Sequence, residues 1–232
     1  MLNLTSTEWS AIALSLKVAG GAAAAVLPPA VLLGWLLARC EFRGKIVVES
    51  LVHAPLVMPP VVTGYLLMMT FGARGWIGKY LGLQLAFSWE GAVLASAIVA
   101  LPLAVRSVRL AISMVDRRLE ETSLTLGRSP LWIFSRVTLP LAGPGILGGI
   151  LLAFSRSLGE FGATITFAGN IEGVTQTLPL AIYSALQTPG GETQAMRFTL
   201  LSLLLCFLSL LVSEHLNRKA VRAHATENRH SA

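Results

Sequence analysis

The sequence carries five apolar runs, each long enough to cross a lipid bilayer, and these runs constrain the fold more than any other feature. A membrane-spanning helix needs about 20 mostly apolar residues to cross roughly 30 Å of hydrocarbon. The runs lie at residues 11–38, 51–71, 91–110, 141–167 and 197–213. With 54% hydrophobic and 13% charged residues, the chain is also too apolar for an ordinary soluble domain. The sequence therefore predicts an all-α membrane protein with five transmembrane helices.

A single transmembrane domain is predicted to account for most of the chain. No polar domain interrupts the apolar runs, so residues 11–213 are expected to form one unit. Residues 1–10 precede this unit as an extracytoplasmic segment, and residues 214–232 follow it as a basic cytoplasmic tail. The first run is longer than a span requires and contains Pro28 and Pro29, which favour a tilt or a kink.

The orientation follows from the loop cations, which fall mostly on one side of the predicted spans. On that side lie Arg39, Arg43, Lys45, Arg106, Arg109, Arg117, Arg118, Arg128, Arg136, Arg218, Lys219, Arg222 and Arg229. The opposite loops hold little beyond Arg74 and Lys79. Because cytoplasmic loops carry the excess of Lys and Arg, the N-terminus is predicted outside and the tail in the cytoplasm. Arg106 and Arg197 fall at the ends of their runs, where their side chains can extend to the interface.

Several classes of function do not fit the composition. A net charge of +6 could favour nucleic acid, but the basic residues sort to one side of the membrane instead of clustering with stacking aromatics. Cys40 and Cys206 are far apart in sequence and in predicted depth, and the histidines lack ligand spacing, so no metal site is predicted. Neither Gly44-Lys45 nor Gly78-Lys79 is followed by the Ser or Thr of a phosphate-binding loop. We therefore expect no catalytic residue and no cofactor in this chain, and any ATP must be bound by a separate subunit.

The loop between the third and fourth runs, at about 113–140, is polar and flanked by arginines. Asp116 and the acidic residues after it favour the start of a short helix, and Gly127 favours its end. One face of this helix is predicted to lie in a groove of a partner, and the face comprises Leu119, Ser123 and Leu126. The alternative is an amphipathic helix that lies on the lipid surface.

The spacing in this loop resembles the signature of binding-protein-dependent ABC importer permeases. That signature runs Glu-Ala-Ala, three residues, Gly, nine residues, Ile, one residue and Leu-Pro. Here Thr122 and Ser123 replace the alanines and Val137 replaces the isoleucine. The resemblance implies a helix that couples the permease to an ATPase. The implied coupling residues are Glu120, Glu121, Thr122, Ser123, Leu126, Gly127, Leu139 and Pro140.

Two charges lie inside the fourth run. Arg156 and Glu160 are four residues apart, which places them on one face of a continuous helix. A single ion in hydrocarbon costs about 3 kcal/mol or more, so the pair is predicted to face the bundle interior or a wet cavity. Two interpretations remain open: an ion pair that holds helices together, and a direct role on the permeation path.

The segment around this pair resembles the molybdate branch of the oxyanion importer permeases. The similar stretches are residues 153–167, 177–192, 40–45 and 53–65. Sulfate permeases share the pattern of Gly159-Glu160-Phe161-Gly162, whereas the Gln-Thr-Pro-Gly-Gly-Glu stretch at 187–192 favours molybdate. The resemblance implies a type I importer permease in the bacterial cytoplasmic membrane that works as a homodimer by alternating access. It further implies a cytoplasmic ABC ATPase dimer that holds ATP and magnesium, and an extracytoplasmic molybdate-binding protein.

Alternatives to this function remain open at the level of sequence. The same pattern could belong to a sulfate, thiosulfate or tungstate permease. A secondary transporter is expected to show inverted repeats, and the sequence shows no internal duplication. The translocation path or gate is predicted to include Pro59, Pro60, Thr63, Arg156, Glu160 and Thr164, because prolines bend the second run and hydroxyls could meet the anion.

Overall fold

The structure, a computed structural model, describes residues 5–82 and 84–230. Within these residues the regular structure is helical. The helices are α1 (Ser6–Arg39), α2 (Lys45–Val57), α3 (Pro60–Phe71), α4 (Trp76–Leu81), α5 (Trp89–Ser113), α6 (Arg117–Thr125), α7 (Pro130–Ile133), a π-helical turn (Phe134–Thr138), α8 (Leu139–Leu158), α9 (Gly162–Phe167), α10 (Leu178–Gln187) and α11 (Glu192–His230).

Three long helices, α1, α5 and α8, form the centre of the bundle. Their contact is lined by alanines and valines, which lets the backbones approach closely. At Gly34 of α1 a Cβ atom would lie 2.6 Å from a methyl of Val108 on α5. Ser107 of α5 donates a hydrogen bond of 3.1 Å to the carbonyl oxygen of Gly145 on α8. Small residues therefore set the spacing of the helices that carry the rest of the fold.

The second predicted span is a bent pair of helices, not one straight helix. Helices α2 and α3 are separated by Met58 and Pro59, and the two segments are bent by 113°. Pro60 is the first residue of α3, where its missing N–H costs no hydrogen bond. Proline also disfavours helical geometry in the residue before it, so consecutive prolines end α2. The sequence predicted that prolines bend the run at 51–71, and Pro59 and Pro60 lie at the break. Their role as a gate stays a prediction.

The fourth predicted span, at 141–167, is also interrupted. Helix α8 ends at Leu158, and the short helix α9 begins only at Gly162. Phe161 has φ −130° and ψ −55°, outside helical geometry, and the Glu160 carboxylate accepts a hydrogen bond of 3.0 Å from the Ala163 amide. The side chain thus satisfies one of the free amide donors at the start of α9. The prediction of one continuous helix was wrong, because residues 159–161 leave the helix.

The remaining spans are longer than predicted. Helix α5 continues past residue 110 to Ser113, and α11 begins at Glu192 and continues through the predicted basic tail. In the part of the chain that the structure describes, four helices are long and apolar enough to cross a membrane, and the bent pair brings the number to five. Residues 1–4 of the predicted N-terminal segment lie outside the described residues. The same holds for residues 231–232 and for the side chains of Lys219, Arg222 and Arg229.

Prediction for packing between α3 and α9. A Cβ atom at Gly64 would lie 2.7 Å from the Ala163 carbonyl oxygen and 2.7 Å from Thr166 Cβ. Because backbone atoms cannot move aside, Gly64→Ala is expected to destabilise the protein by about 1–3 kcal/mol. Gly20→Ala is the matched control, since a Cβ there meets nothing within 4 Å. Thermal unfolding in detergent should give a lower melting temperature for Gly64→Ala alone. Equal melting temperatures for the two variants would contradict this account of the packing.

Candidate functional site

Helix α6 has defined chemical signals at both ends. The Asp116 carboxylate accepts a hydrogen bond of 2.9 Å from the Arg118 amide and caps the first turn. At the other end Gly127 has φ +77°. Its amide donates a hydrogen bond of 2.9 Å to the Leu124 carbonyl oxygen, and the Arg128 amide donates one of 3.2 Å to the Ser123 carbonyl oxygen. These two bonds are the Schellman arrangement that ends a helix with glycine in the left-handed region. The helix therefore starts and stops where the sequence predicted.

The surface of α6 is largely exposed, including its apolar residues. None of its residues is buried, and Leu126, just beyond its end, is 76% exposed. Leu119 and Leu124 are also exposed, whereas Ser123 is half-buried and bonds the Leu119 carbonyl oxygen at 2.8 Å. Exposed leucines on a charged helix indicate a surface that another molecule covers. The predicted contact face is thus accessible, and its docking on a partner stays a prediction.

Glu120 and Glu121, adjacent in sequence, face different surroundings. Glu121 is exposed and pairs with Arg117 at 3.4 Å. Glu120 turns toward the bundle, where its carboxylate accepts bonds from Arg39 of α1 at 3.1 and 3.3 Å and from the Thr138 hydroxyl at 2.6 Å. Glu121 thus presents its charge outward, and Glu120 attaches α6 to the bundle.

Arg39 extends this attachment to a third segment. Its guanidinium donates a bond of 2.9 Å to the Val115 carbonyl oxygen, just after α5, besides its bonds to Glu120. We call the group formed by Arg39, Val115, Glu120 and Thr138 the α6 anchor. It joins the end of α1, the end of α5 and the π-helical turn that leads into α8. The sequence indicated Arg39 only as a loop cation, and nothing in its spacing pointed to Thr138.

The other predicted coupling residues lie at two different places. Thr122 is exposed on α6, whereas Leu139 and Pro140 form the first turn of α8. Leu139 packs against the central core. The Leu-Pro part of the motif therefore lies at the start of a core helix, apart from the exposed surface of α6.

Arg156 and Glu160 form the predicted ion pair, but not on one helix. Arg156 Nη1 lies 2.8 Å from Glu160 Oε2, with Arg156 in α8 and Glu160 in the break before α9. The Glu160 side chain is 2% exposed and that of Arg156 is 32% exposed. The placement on one helix face was wrong, because Glu160 has left the helix. The pair instead links the end of α8 to the start of α9.

The remaining predicted path residues meet where α3 packs on α9. A Cβ at Gly162 would lie 2.8 Å from Pro60 Cβ, so the starts of the two helices touch, while Pro59 is exposed in the break. Thr63 and Thr164, one on each helix, are buried, and their hydroxyls have no hydrogen-bond partner among the described residues. A buried hydroxyl without a partner costs about 1–3 kcal/mol. Neither hydroxyl oxygen is accessible to solvent in this packing of α3 on α9.

A second charged contact was not predicted. Glu8, on the first turn of α1, is 2% exposed and lies 2.9 Å from Arg197 of α11. Its carboxylate also accepts a bond from the Thr5 amide and so completes a capping box. Arg197 is thus held by a carboxylate at the end of the bundle opposite α6, a contact that the sequence did not indicate.

Comparison with known proteins agrees with this architecture. Residues 30–222 match the family described as binding-protein-dependent transport system inner membrane component. The chain is 52% identical over 219 residues to the molybdenum transport system permease protein ModB of Escherichia coli K12, covering 93% of this chain and 96% of the relative. It is 53% identical over 216 residues to ModB of Haemophilus influenzae, covering 91% of this chain and 94% of the relative. The sulfate transport system permease protein CysW of Escherichia coli K12 is 34% identical over 204 residues, covering 85% of this chain and 70% of the relative.

Solved structures share the fold at low sequence identity. A bacterial ABC transporter involved in the import of alginate matches with a TM-score of 0.73 at 17% identity, covering 94% of this chain and 81% of that chain. The MetNI methionine ABC transporter, in an inward-facing conformation, matches with a TM-score of 0.67 at 17% identity, covering 92% and 94%. The fold is that of type I ABC importer permeases.

Prediction for the α6 anchor. Glu120→Gln keeps the shape of the side chain but removes the charge that neutralises Arg39, which is 12% exposed. We expect a loss of stability of about 2 kcal/mol, because a nearly buried guanidinium is left without its counter-charge. Glu121→Gln is the control and should change stability little, since that pair is exposed on both sides. Thermal unfolding in lipid nanodiscs measures both, and equal effects would disprove the anchor.

Prediction for the Arg156–Glu160 pair. Arg156→Met leaves a buried carboxylate unpaired, whereas Glu160→Gln leaves a guanidinium that still reaches water. Because its amide oxygen can still accept the Ala163 hydrogen bond, Glu160→Gln should be the milder change. We expect a loss of about 3 kcal/mol for Arg156→Met, a smaller loss for Glu160→Gln, and a loss for the double variant well below the sum. Thermal unfolding of the four proteins completes the cycle, and additive losses would show that the two residues are not coupled.

Proposed function

This chain belongs to the family of binding-protein-dependent transport system inner membrane components, and on that premise we propose that it is the permease subunit of an ATP-driven importer of molybdate. The observation that carries the proposal is 52% identity, over nearly the full length of both chains, to a molybdenum transport permease. The identity to a sulfate permease is lower, at 34%. Molybdate is therefore favoured over sulfate, and tungstate, which shares its shape and charge, is the second candidate.

The ATP is hydrolysed in a separate subunit that docks on α6. The exposed leucines and the outward carboxylate Glu121 suit a groove on a partner, and the Schellman end at Gly127 lets the chain turn back at once toward the membrane. ATP and magnesium would be held by that ATPase, since this chain lacks the Gly-Lys-Ser or Gly-Lys-Thr sequence that cradles phosphate. The chain is thus a transport component whose movement is supplied from outside.

The α6 anchor gives that movement a route into the bundle. A displaced α6 would pull on Arg39 and Thr138, and so on the ends of α1, α5 and the segment that leads into α8. These are the same three helices that form the densely packed centre. Because packed interiors deform little, a push at α6 would tilt these helices together instead of bending one of them.

The permeation path is expected to lie between two copies of the chain. An anion in hydrocarbon is prohibitively costly, so the path must be lined by polar groups and water. Arg156 is partly exposed beside the α8–α9 break, and a charge at that depth cannot face lipid without a large cost. A homodimer would enclose that face. Movement of α3 against α9, around the break at Pro59, would then open and close the path.

The remaining partners and the orientation complete the proposal. The loop cations place the α6 end of the bundle in the cytoplasm, with α1 beginning on the outer side of the inner membrane. A molybdate-binding protein would dock on that outer side, near the exposed residues 186–190 at the end of α10 and in the turn before α11. It would deliver the anion to the outward-open dimer while ATP holds the ATPase closed.

Prediction for coupled uptake. In proteoliposomes that contain the permease, its ATPase and its binding protein, labelled molybdate should accumulate only with ATP. Gly127→Val should abolish most uptake and weaken ATPase association, because a β-branched residue does not tolerate φ +77°. Gly127→Asn should retain most of both, since asparagine tolerates the left-handed region. Filter uptake and co-purification measure the two effects.

Three results would count against the proposal. Uptake by the wild type without ATP would contradict an ATP-driven importer. Preferential uptake of labelled sulfate over molybdate would contradict the proposed substrate. Equal ATPase association of the Gly127→Val and wild-type proteins would contradict docking through α6.

A further inference from the structure

A polar cleft lies between α2 and α5, on the α6 side of the bend between α2 and α3. Its volume is about 400 Å³, and its lining residues are Glu49, Ser50, His53, Arg106 and Arg109. Every lining side chain is polar, in a chain that is 54% hydrophobic. None of these residues belongs to the predicted coupling or path residues.

Arg106 lies on α5, a helix long and apolar enough to cross a membrane. It precedes Ser113, the last residue of α5, by seven positions, which corresponds to about 10 Å along the helix axis. Helix α5 continues beyond it, so Arg106 is not at the end of a span as the sequence predicted. It is exposed, and it has no hydrogen-bond or ion-pair partner among the residues that the structure describes. An unpaired guanidinium on a membrane-spanning helix has to contact water or a ligand.

Among the charged residues that line the cleft, Arg106 is the one without a counter-charge. Arg109 forms an ion pair with Glu49. Lys45, at the start of α2, is held at 2.7 Å by Glu41, and the bond and charge of Lys45 lower the pKa of the Glu41 carboxyl, so that pair stays ionised. The cleft therefore carries net positive charge, concentrated on one guanidinium.

Of the other lining groups, Ser50 adds a donor without adding negative charge. His53 Nδ1 lies 2.7 Å from the Glu49 carbonyl oxygen, and because a carbonyl only accepts, Nδ1 donates and the ring is held in place. The Ser50 hydroxyl is on the adjoining turn of the same helix and lines the same cleft. A guanidinium fork with a hydroxyl beside it matches the oxygen atoms of a tetrahedral oxyanion.

We propose that this cleft is a transient binding site for the transported tetrahedral oxyanion on its way to the cytoplasm, with Arg106 as the principal ligand and Ser50 as a second donor. The inference rests on the proposed function and specifies where the anion pauses after the gate. Glu49 keeps Arg109 neutralised, which prevents two free guanidinium groups from holding a dianion too tightly. Conduction requires sites that attract the ion and also release it.

Binding tests this inference directly. The nucleotide-free complex of permease and ATPase, in phosphatidylcholine nanodiscs without binding protein, is titrated with labelled molybdate by equilibrium dialysis. Arg106→Gln should weaken binding about tenfold, because a charge-assisted contact is lost. Arg106→Lys should weaken it less, since the charge remains but the fork is lost. Glu49→Gln should strengthen binding, because Arg109 is then freed for the anion.

Arg43→Gln is the matched control. Arg43 is an exposed arginine between α1 and α2, at the same end of the bundle, and its replacement removes the same net charge. Binding by this variant should equal that of the wild type. Equal losses in Arg43→Gln and Arg106→Gln would reduce the effect to general electrostatic attraction and overturn the site.

Further outcomes separate this inference from the proposed function. Suppose that the wild type accumulates molybdate in proteoliposomes but shows no molybdate binding in the dialysis, or that the wild type and Arg106→Gln bind molybdate with equal affinity. In either case the cleft is not a binding site, and the importer assignment stands. If the wild type accumulates no molybdate, both fail. A lipid phosphate is the other source of a tetrahedral oxyanion. The phosphatidylglycerol that co-purifies with the permease is therefore also measured. If Arg106→Gln loses this lipid while its molybdate binding is unchanged, the cleft binds lipid and the inference is overturned.

Discussion

One carboxylate determines how the exposed helix and the membrane bundle can move relative to one another. Glu120 accepts hydrogen bonds from Arg39 and Thr138, and Arg39 also bonds the backbone after α5. These bonds join α6 to all three helices of the central core while the rest of α6 stays exposed. A short helix with little buried surface of its own would otherwise move independently of the bundle. We therefore propose that α6 and the central core move as one mechanical unit.

Charged side chains on the membrane-spanning helices are accommodated in different ways. Glu8 and Arg197 pair between the starts of α1 and α11, at the end opposite α6. Arg156 and Glu160 pair at the break between α8 and α9, where backbone polarity also has to be satisfied. Arg106 has no hydrogen-bond or ion-pair partner among the described residues, and it lines the polar cleft below the bend of α2 and α3. Two of these groups stabilise the fold, and the third is left available to a ligand.

Local signals in the sequence predicted α6 well, because a carboxylate at the N-cap and a glycine at the end act through a few neighbouring atoms. The number of spans was also predictable from apolar length. The prolines at 59 and 60 indicated the bend in the second run. The break at Glu160 was not placed, since hydropathy measures length and does not register where a helix stops within an apolar run. The opposite directions of Glu120 and Glu121 depend on where Arg39 and Thr138 lie after folding, 81 and 18 residues away from Glu120. Contacts of that range are set by tertiary packing, which spacing alone does not encode.

The central claim, that α6 and the core move as one body, is tested by distances between spin labels on Leu124 of α6 and Leu32 of α1, both exposed. Cys40 and Cys206 are replaced by serine, and only one copy of the dimer carries the labels. We predict that the Leu124–Leu32 distance within that copy is the same in the nucleotide-free and ATP-bound complexes. In a second dimer, labelled at Leu124 on both copies, the distance between the two Leu124 positions should change between these states. A change in the distance within one copy, with the separation between copies fixed, would contradict the account.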